Sequence, residues 1–168
     1  IVVNEQIGGL ILMQDDATKE INLVNEFQTK SKVPLMIGMD AEWGIFQRIA
    51  TAHKFPWAMT LGAIQDKNLI TEMAAKIAED CKRMGINWDF APVVDVNTNP
   101  DNPIIGNRSF GSEVSNVVHS GLAYSNGLQN NNILAAIKHF PGHGDTNTDS
   151  HLDLPVVSHD LKRLTDIE

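Results

Sequence analysis

The chain is 168 residues long and 42% hydrophobic, enough apolar material to bury one core. With 13 basic against 21 acidic side chains it carries a formal net charge of −8, which counts against nucleic acid and anionic membrane surfaces as partners, since neither attracts an acidic protein. No apolar run approaches the roughly 20 residues needed to cross a bilayer, so no membrane insertion is expected, and the single cysteine, Cys81, allows no internal disulfide.

Strands and helices alternate along the chain. Residues 7–13 read as a strand, and Asp15 or Asp16 can cap a following helix in which Ala17, Ile21, Val24 and Phe27 recur at helical spacing. A second strand over residues 33–39 ends at Asp40. Residues 68–84 predict an amphipathic helix with Ile70, Met73, Ala74, Ile77, Cys81 and Met84 on one face and Gly85 as its stop. On that face Cys81 reads as an inert buried thiol. Residues 86–96 hold a third strand, although Pro92 limits which part can join a ladder. Ser112 is the expected cap of a helix carrying Val114, Val117, Val118, Leu122 and Leu128. Residues 133–137 are a continuous apolar run, the pattern of a fourth strand buried on both faces. Ser158-His159-Asp160-Leu161 marks a further helix start. The isolated His53, His119 and His159 read as solvent-facing or capping residues.

This alternation implies an α/β protein with a parallel sheet. Polar residues collect after the strands at Asp40, Asp95 and Lys138-His139, as on the catalytic face of a (β/α)8 TIM barrel. An open doubly wound sheet fits the pattern too, but Gly8-Gly9 lacks the G-x-G-x-x-G spacing of a phosphate-binding turn. A complete barrel takes about 250 residues, so four strands predict a portion of one. The whole chain, 1–168, reads as a single partial domain without linker or repeat.

The segment from Lys138 to His151 (K-H-F-P-G-H-G-D-T-N-T-D-S-H) concentrates cations, imidazoles and carboxylates directly after the apolar fourth strand. Pro141 and the glycines stop regular structure, so these groups belong to a loop at the strand's carboxyl end. A lysine there is costly to bury without a partner, which predicts a carboxylate or ligand contact for Lys138. The spacing Asp149-Ser150-His151 lets a carboxylate orient an imidazole and stabilise its protonated form, keeping a proton available near neutrality.

The pattern resembles the K-H-F-P-G-H-G-x-T-x-x-D-S-H signature of glycoside hydrolase family three, in its β-N-acetylglucosaminidase branch. The resemblance extends through Gly38-Met39-Asp40-Ala41-Glu42, residues 90–96 and Asn107-Arg108-Ser109-Phe110-Gly111, and so covers nearly the whole chain. It implies an exo-acting, retaining hydrolase that removes terminal N-acetylglucosamine from β-linked glycans such as peptidoglycan fragments. His151 would be the acid/base and Asp149 its partner; Asp40, Arg48, Arg108, Lys138 and His139 would hold the sugar. Asp95 matches an orienting position, and Glu42 one that braces its loop. No cofactor or metal is implied. In the family's order the first strand precedes Ile1, the last strands follow Glu168, and the nucleophilic aspartate lies on a later strand, so the remainder of the barrel is an expected partner of these residues, with room for a further domain.

The chain departs from the family's D-x-E-G-G-R run, having Trp43 for a glycine and Ile45 for an arginine. Trp43 can stack on a sugar or fill the barrel rim, and packing is the commoner role of a large aromatic. Three rival readings remain. A metal-dependent hydrolase could recruit His139, His143, Asp145, Asp149, His151 and Asp153, although Pro141-Gly142 breaks the helix an H-x-x-x-H pair needs. A phosphorylase could use the imidazole acid, because a carboxylate repels incoming phosphate. A non-catalytic sugar-binding relative would lack the nucleophile. The chain opens on Ile1-Val2-Val3, which leaves cytoplasmic and periplasmic locations both open.

Overall fold

The structure, a computed structural model, describes residues 2–149 and 151–168; Ile1 and Ser150 of the D-S-H triplet lie outside them. A single helical turn, α1 (Val2–Glu5), precedes strand β1 (Gly9–Ile11). Asp16, rather than Asp15, caps helix α2 (Ala17–Lys30), accepting from the backbone N–H groups of Thr18 at 2.9 Å and Lys19 at 3.2 Å. Strand β2 (Met36–Met39) follows; it is shorter than the sequence predicts, since Val33 turns into solvent.

The short helix α3 (Ala58–Gly62) leads to α4 (Asn68–Arg83), whose inward face is the predicted one. Ile70, Ala74, Ile77 and Cys81 are completely buried, each large aliphatic contributing about 1.5–3 kcal/mol. Gly85, with φ +76°, stops the helix where a side chain would meet Val24. Burial also pushes the Cys81 thiol up, which keeps it unreactive.

Strand β3 is only Trp88–Asp89. Beyond it the chain stays extended but pairs sparsely, because Pro92 has no N–H; Val94 donates to Lys138 O at 2.7 Å and Lys138 to Pro92 O at 3.2 Å. Helix α5 (Val114–Gln129) begins two residues after Ser112, with Glu113 at its N-cap position and no side-chain cap. Its inward face is also not the predicted stripe. Val117 and Leu128 are buried with Ser120, Gly121, Ala123, Tyr124 and Gly127, while Val118 and Leu122 are exposed. Small residues make this face because α4 lies against it: a Cβ on Gly127 would stand 2.4 Å from Thr71 O.

Strand β4 (Leu134–Ala135) lies at the sheet edge, so Leu134 and Ile137 are exposed and the expectation of burial on both faces fails for them. Helix α6 (Leu161–Asp166) starts where the sequence predicts, capped by Asp160 through the Arg163 N–H. The four strands form one parallel sheet in chain order, with Leu10 opposite Ile37, Met39 opposite Asp89 and Asp89 opposite Ala135. Parallel neighbours in sequential order, joined by helical crossovers, are a portion of a (β/α)8 barrel. Among the described residues no helix is long and apolar enough to cross a membrane.

Candidate active site

Because every strand runs the same way, the residues beyond the strands emerge on one rim, and side chains far apart in sequence meet there. Lys138 Nζ lies between two carboxylates, 2.9 Å from Asp40 Oδ1 and 2.9 Å from Glu42 Oε1. Arg48 Nη2 donates to Asp40 Oδ2 at 2.7 Å. Arg108 grips Glu42 with a fork, Nε to Oε2 at 2.9 Å and Nη2 to Oε1 at 2.8 Å. The same Nη2 is 3.5 Å from His139 Nε2, and His139 Nδ1 is 2.6 Å from Asp95 Oδ2. Asp40, Arg48, Arg108, Lys138 and His139 therefore form one contiguous network. Glu42, read from sequence as a brace for its loop, is the bridge that joins Lys138 to Arg108.

Burial separates the two acids. The Glu42 side chain is 7% exposed and Asp40 28%, so Glu42 is interior while Asp40 keeps a face open to a ligand. Burial acts to raise the Asp40 carboxyl, but Lys138 and then Arg48 outweigh it and hold the group below the usual carboxylate range. Glu42 is likewise held low against burial by Arg108 and Lys138. The rim thus presents ionised acceptors beside charged donors, a set that can grip vicinal hydroxyls and an amide from both sides.

The network rests on buried supports. Tyr124 donates its hydroxyl to Ala41 O at 3.3 Å and Glu42 O at 3.1 Å, and Gln47 Oε1 accepts from the Glu42 N–H at 2.8 Å. Asp89 accepts from the Ala41 N–H at 3.0 Å through one oxygen and leaves Oδ2 without a partner. Burial pushes its carboxyl up to about 7. Asp95 Oδ1 also accepts from the His143 N–H at 2.7 Å, fixing the loop that follows His139. Glycine is required at 144, where a Cβ would stand 1.9 Å from Val96 O.

Farther along this loop the Asp149–His151 pair forms as the spacing predicts. His151 Nδ1 is 2.7 Å from Asp149 Oδ1, and the His151 backbone N–H donates to the same oxygen at 2.9 Å. That backbone bond, followed by the side-chain bond, lowers the Asp149 carboxyl below its ordinary range. The His151 side chain is 71% exposed, and among the described residues no hydrogen bond links the pair to the Asp40 network. The structure joins the five predicted sugar residues and, separately, the predicted dyad.

Among the described residues, the six side chains a metal hydrolase could recruit do not gather. His139 is committed to Asp95, His143 to Thr146 and His151 to Asp149. Burial lowers the His143 imidazole and keeps it neutral against the pull of Asp95. Among the described residues, the cation-sized grouping is Asp145, His159 and Glu168, within 4.8 Å of one another, with the Arg163 guanidinium already on both carboxylates. His159, read from sequence as solvent-facing or capping, is instead half-buried against Asp145. Trp43 packs at 4.0 Å against Trp57, a tilted aromatic pair consistent with its packing role.

Asp89 carries no sequence assignment, and Glu42 and His159 do more in the structure than their sequence positions convey. A carboxylate inside Trp88-Asp89-Phe90 was a visible anomaly, whereas the partners of Glu42 and His159 lie too far along the chain to be paired by spacing.

The Glycosyl hydrolase family 3 N terminal domain matches residues 1–168. Beta-hexosaminidase A of Pseudoalteromonas piscicida is 39% identical over 98% of this chain and 30% of its own length. A fungal multi-domain β-N-acetylglucosaminidase superposes with a TM-score of 0.93 at 37% identity, over 99% of this chain and 21% of that protein. The β-N-acetylglucosaminidase of Paenibacillus sp. FPU-7 superposes at 0.89 with 36% identity, over 99% and 33%. The chain thus spans about a third or less of these relatives, and the family model covers it from end to end: it belongs to glycoside hydrolase family 3.

Proposed function

We propose that these residues are part of the catalytic barrel of an exo-acting, retaining β-N-acetylglucosaminidase. The observation that carries the reading is that one loop supplies both Lys138 and His139 to the Asp40 network and, farther on, the hydrogen-bonded Asp149–His151 pair. Relatives named β-hexosaminidase and β-N-acetylglucosaminidase support it.

In this reading Asp40, Arg48, Lys138, Arg108 and His139 hold a terminal N-acetylglucosamine by its hydroxyls and acetamido group. A carboxylate nucleophile attacks the anomeric carbon and forms a glycosyl-enzyme, while His151 gives its proton to the departing oxygen. His151 then takes a proton from the water that releases the sugar. Asp149, held ionised, stabilises the imidazolium that is present before the first transfer and re-formed by the second. None of these residues matches the family's nucleophile; chain outside residues 1–168 supplies it, consistent with the relatives' greater length. Peptidoglycan fragments are the substrates this assignment favours.

The test is hydrolysis of an aryl N-acetyl-β-glucosaminide by the intact protein, followed by proton NMR with and without inorganic phosphate. Free N-acetylglucosamine released first as the β-anomer, unchanged by phosphate, is expected. A sugar phosphate as the main product would make the protein a phosphorylase, and an α-anomer would exclude retention.

A further inference from the structure

The loop that carries the dyad is tied at its base. Asp145 Oδ2 pairs with His159 Nε2, fourteen positions along the chain, and Arg163 Nη2 lies 3.5 Å from the same oxygen. Arg163 also reaches Glu168 Oε1, Nε at 3.4 Å and Nη2 at 3.2 Å. Its own backbone N–H donates to the cap of α6, Asp160, at 2.8 Å. The Glu168 side chain is fully enclosed and fits under Gly142, where a Cβ would stand 2.6 Å from Oε2.

The two arms of this loop are held very differently. On the first arm Asn102 Nδ2 donates to Thr146 O at 3.0 Å and Asn99 Nδ2 to Asn147 Oδ1 at 2.8 Å. On the second arm Leu152, Leu154 and Val156 are exposed. Among the described residues from Leu154 to His159, the His159–Asp145 pair is the only hydrogen bond that reaches beyond neighbouring positions. Release of that pair would free the arm from Leu154 as far as Asp160 and lengthen the stretch without long-range hydrogen bonds that follows His151, adding conformational freedom that must be lost to position the acid.

Resting on the acid/base reading above, we propose that Asp145, His159 and Arg163 form a latch that sets the position of the Asp149–His151 pair. They are positioning residues, acting through the loop without touching the sugar. The arrangement suits that task. Asp145 sits at the loop's start, on the segment that Asp95 and Asn102 fix to the barrel, and Arg163 ties the same carboxylate to the first turn of α6. An imidazole and one guanidinium nitrogen meet on the same Asp145 oxygen, and Glu168 holds that guanidinium through Nε and Nη2, so the carboxylate is restrained in direction as well as distance.

The experiment uses the intact protein and two aryl glycosides, one with a poor leaving group that needs a proton and one with a 2,4-dinitrophenyl group that does not. His159→Ala should lower kcat on the poor leaving group roughly tenfold, since slight misplacement of a catalytic group costs rate steeply. KM and the rate on the activated glycoside should hold. His159→Gln, which keeps an N–H donor toward Asp145, should recover most of the loss. In a His151→Ala background the added His159→Ala should change nothing, because the latch acts only through His151. Equal losses on both substrates, or an undiminished further loss in the His151→Ala background, would overturn the latch alone. A His151→Ala protein indifferent to the leaving group would overturn the acid/base reading and the latch with it.

Discussion

Asp40 divides its two oxygens between Lys138 and Arg48, so its loss would leave Arg48 without its carboxylate and Lys138 with Glu42 alone, and on the proposed reading would deprive the sugar of an acceptor. Truncating one partner of such a pair costs about 2–5 kcal/mol. Asp40→Ala should therefore weaken binding of N-acetylglucosamine correspondingly in calorimetric titration, and wild-type affinity would show that the residue is structural. Asp89 makes a different prediction. Its folded carboxyl, near 7, is raised above the ordinary 3.8, so its contribution is full at low pH and is lost as pH rises toward and through 7. Three units correspond to about 4 kcal/mol at most. Asp89→Asn removes this titration, and its stability relative to wild type in urea melts should improve between pH 4 and pH 8; a constant difference would refute the assignment. At this scale the Asp149–His151 pair was legible from its spacing, whereas Asp40 and Arg48 were marked singly by the resemblance and their pairing was not. Nor was Glu42, because Arg108 and Lys138 reach it only across the assembled rim.

Elements were legible wherever a single periodicity governed them. α4 shows its predicted face because large apolar residues mark it, and the start of α6 is fixed by Asp160. The stripe of α5 was misread because its packed side is marked by small residues, which hydrophobic spacing does not register. Gly127→Ala tests that account: its Cβ would stand 2.4 Å from Thr71 O and 2.5 Å from Ala74 Cβ, and such overpacking costs about 1–3 kcal/mol. Gly8→Ala, with nothing within 4 Å of the added atom, should leave the melting temperature almost unchanged. Equal effects of the two substitutions would mean that α4 and α5 do not meet closely at Gly127. The strands are shorter than their apolar runs because an extended segment becomes a strand only where a neighbour pairs with it, and Pro92 cannot donate.

Across the whole molecule, a parallel sheet in chain order turns three separated segments into one charged rim, which is why the barrel reading from sequence carried the site with it. What sequence could not convey is the separation between the two groups: a half-buried charged network, proposed to hold the sugar, and an exposed Asp149–His151 pair on a tethered loop. The central claim is that His151 is the proton donor and acceptor, a role typically worth 10²–10⁴-fold. Its most direct test is turnover of the intact His151→Ala protein across a series of aryl N-acetyl-β-glucosaminides of graded leaving-group acidity. The account predicts a loss that is large for poor leaving groups and shrinks steadily as the aglycone departs without help. A loss of the same size throughout the series would contradict it.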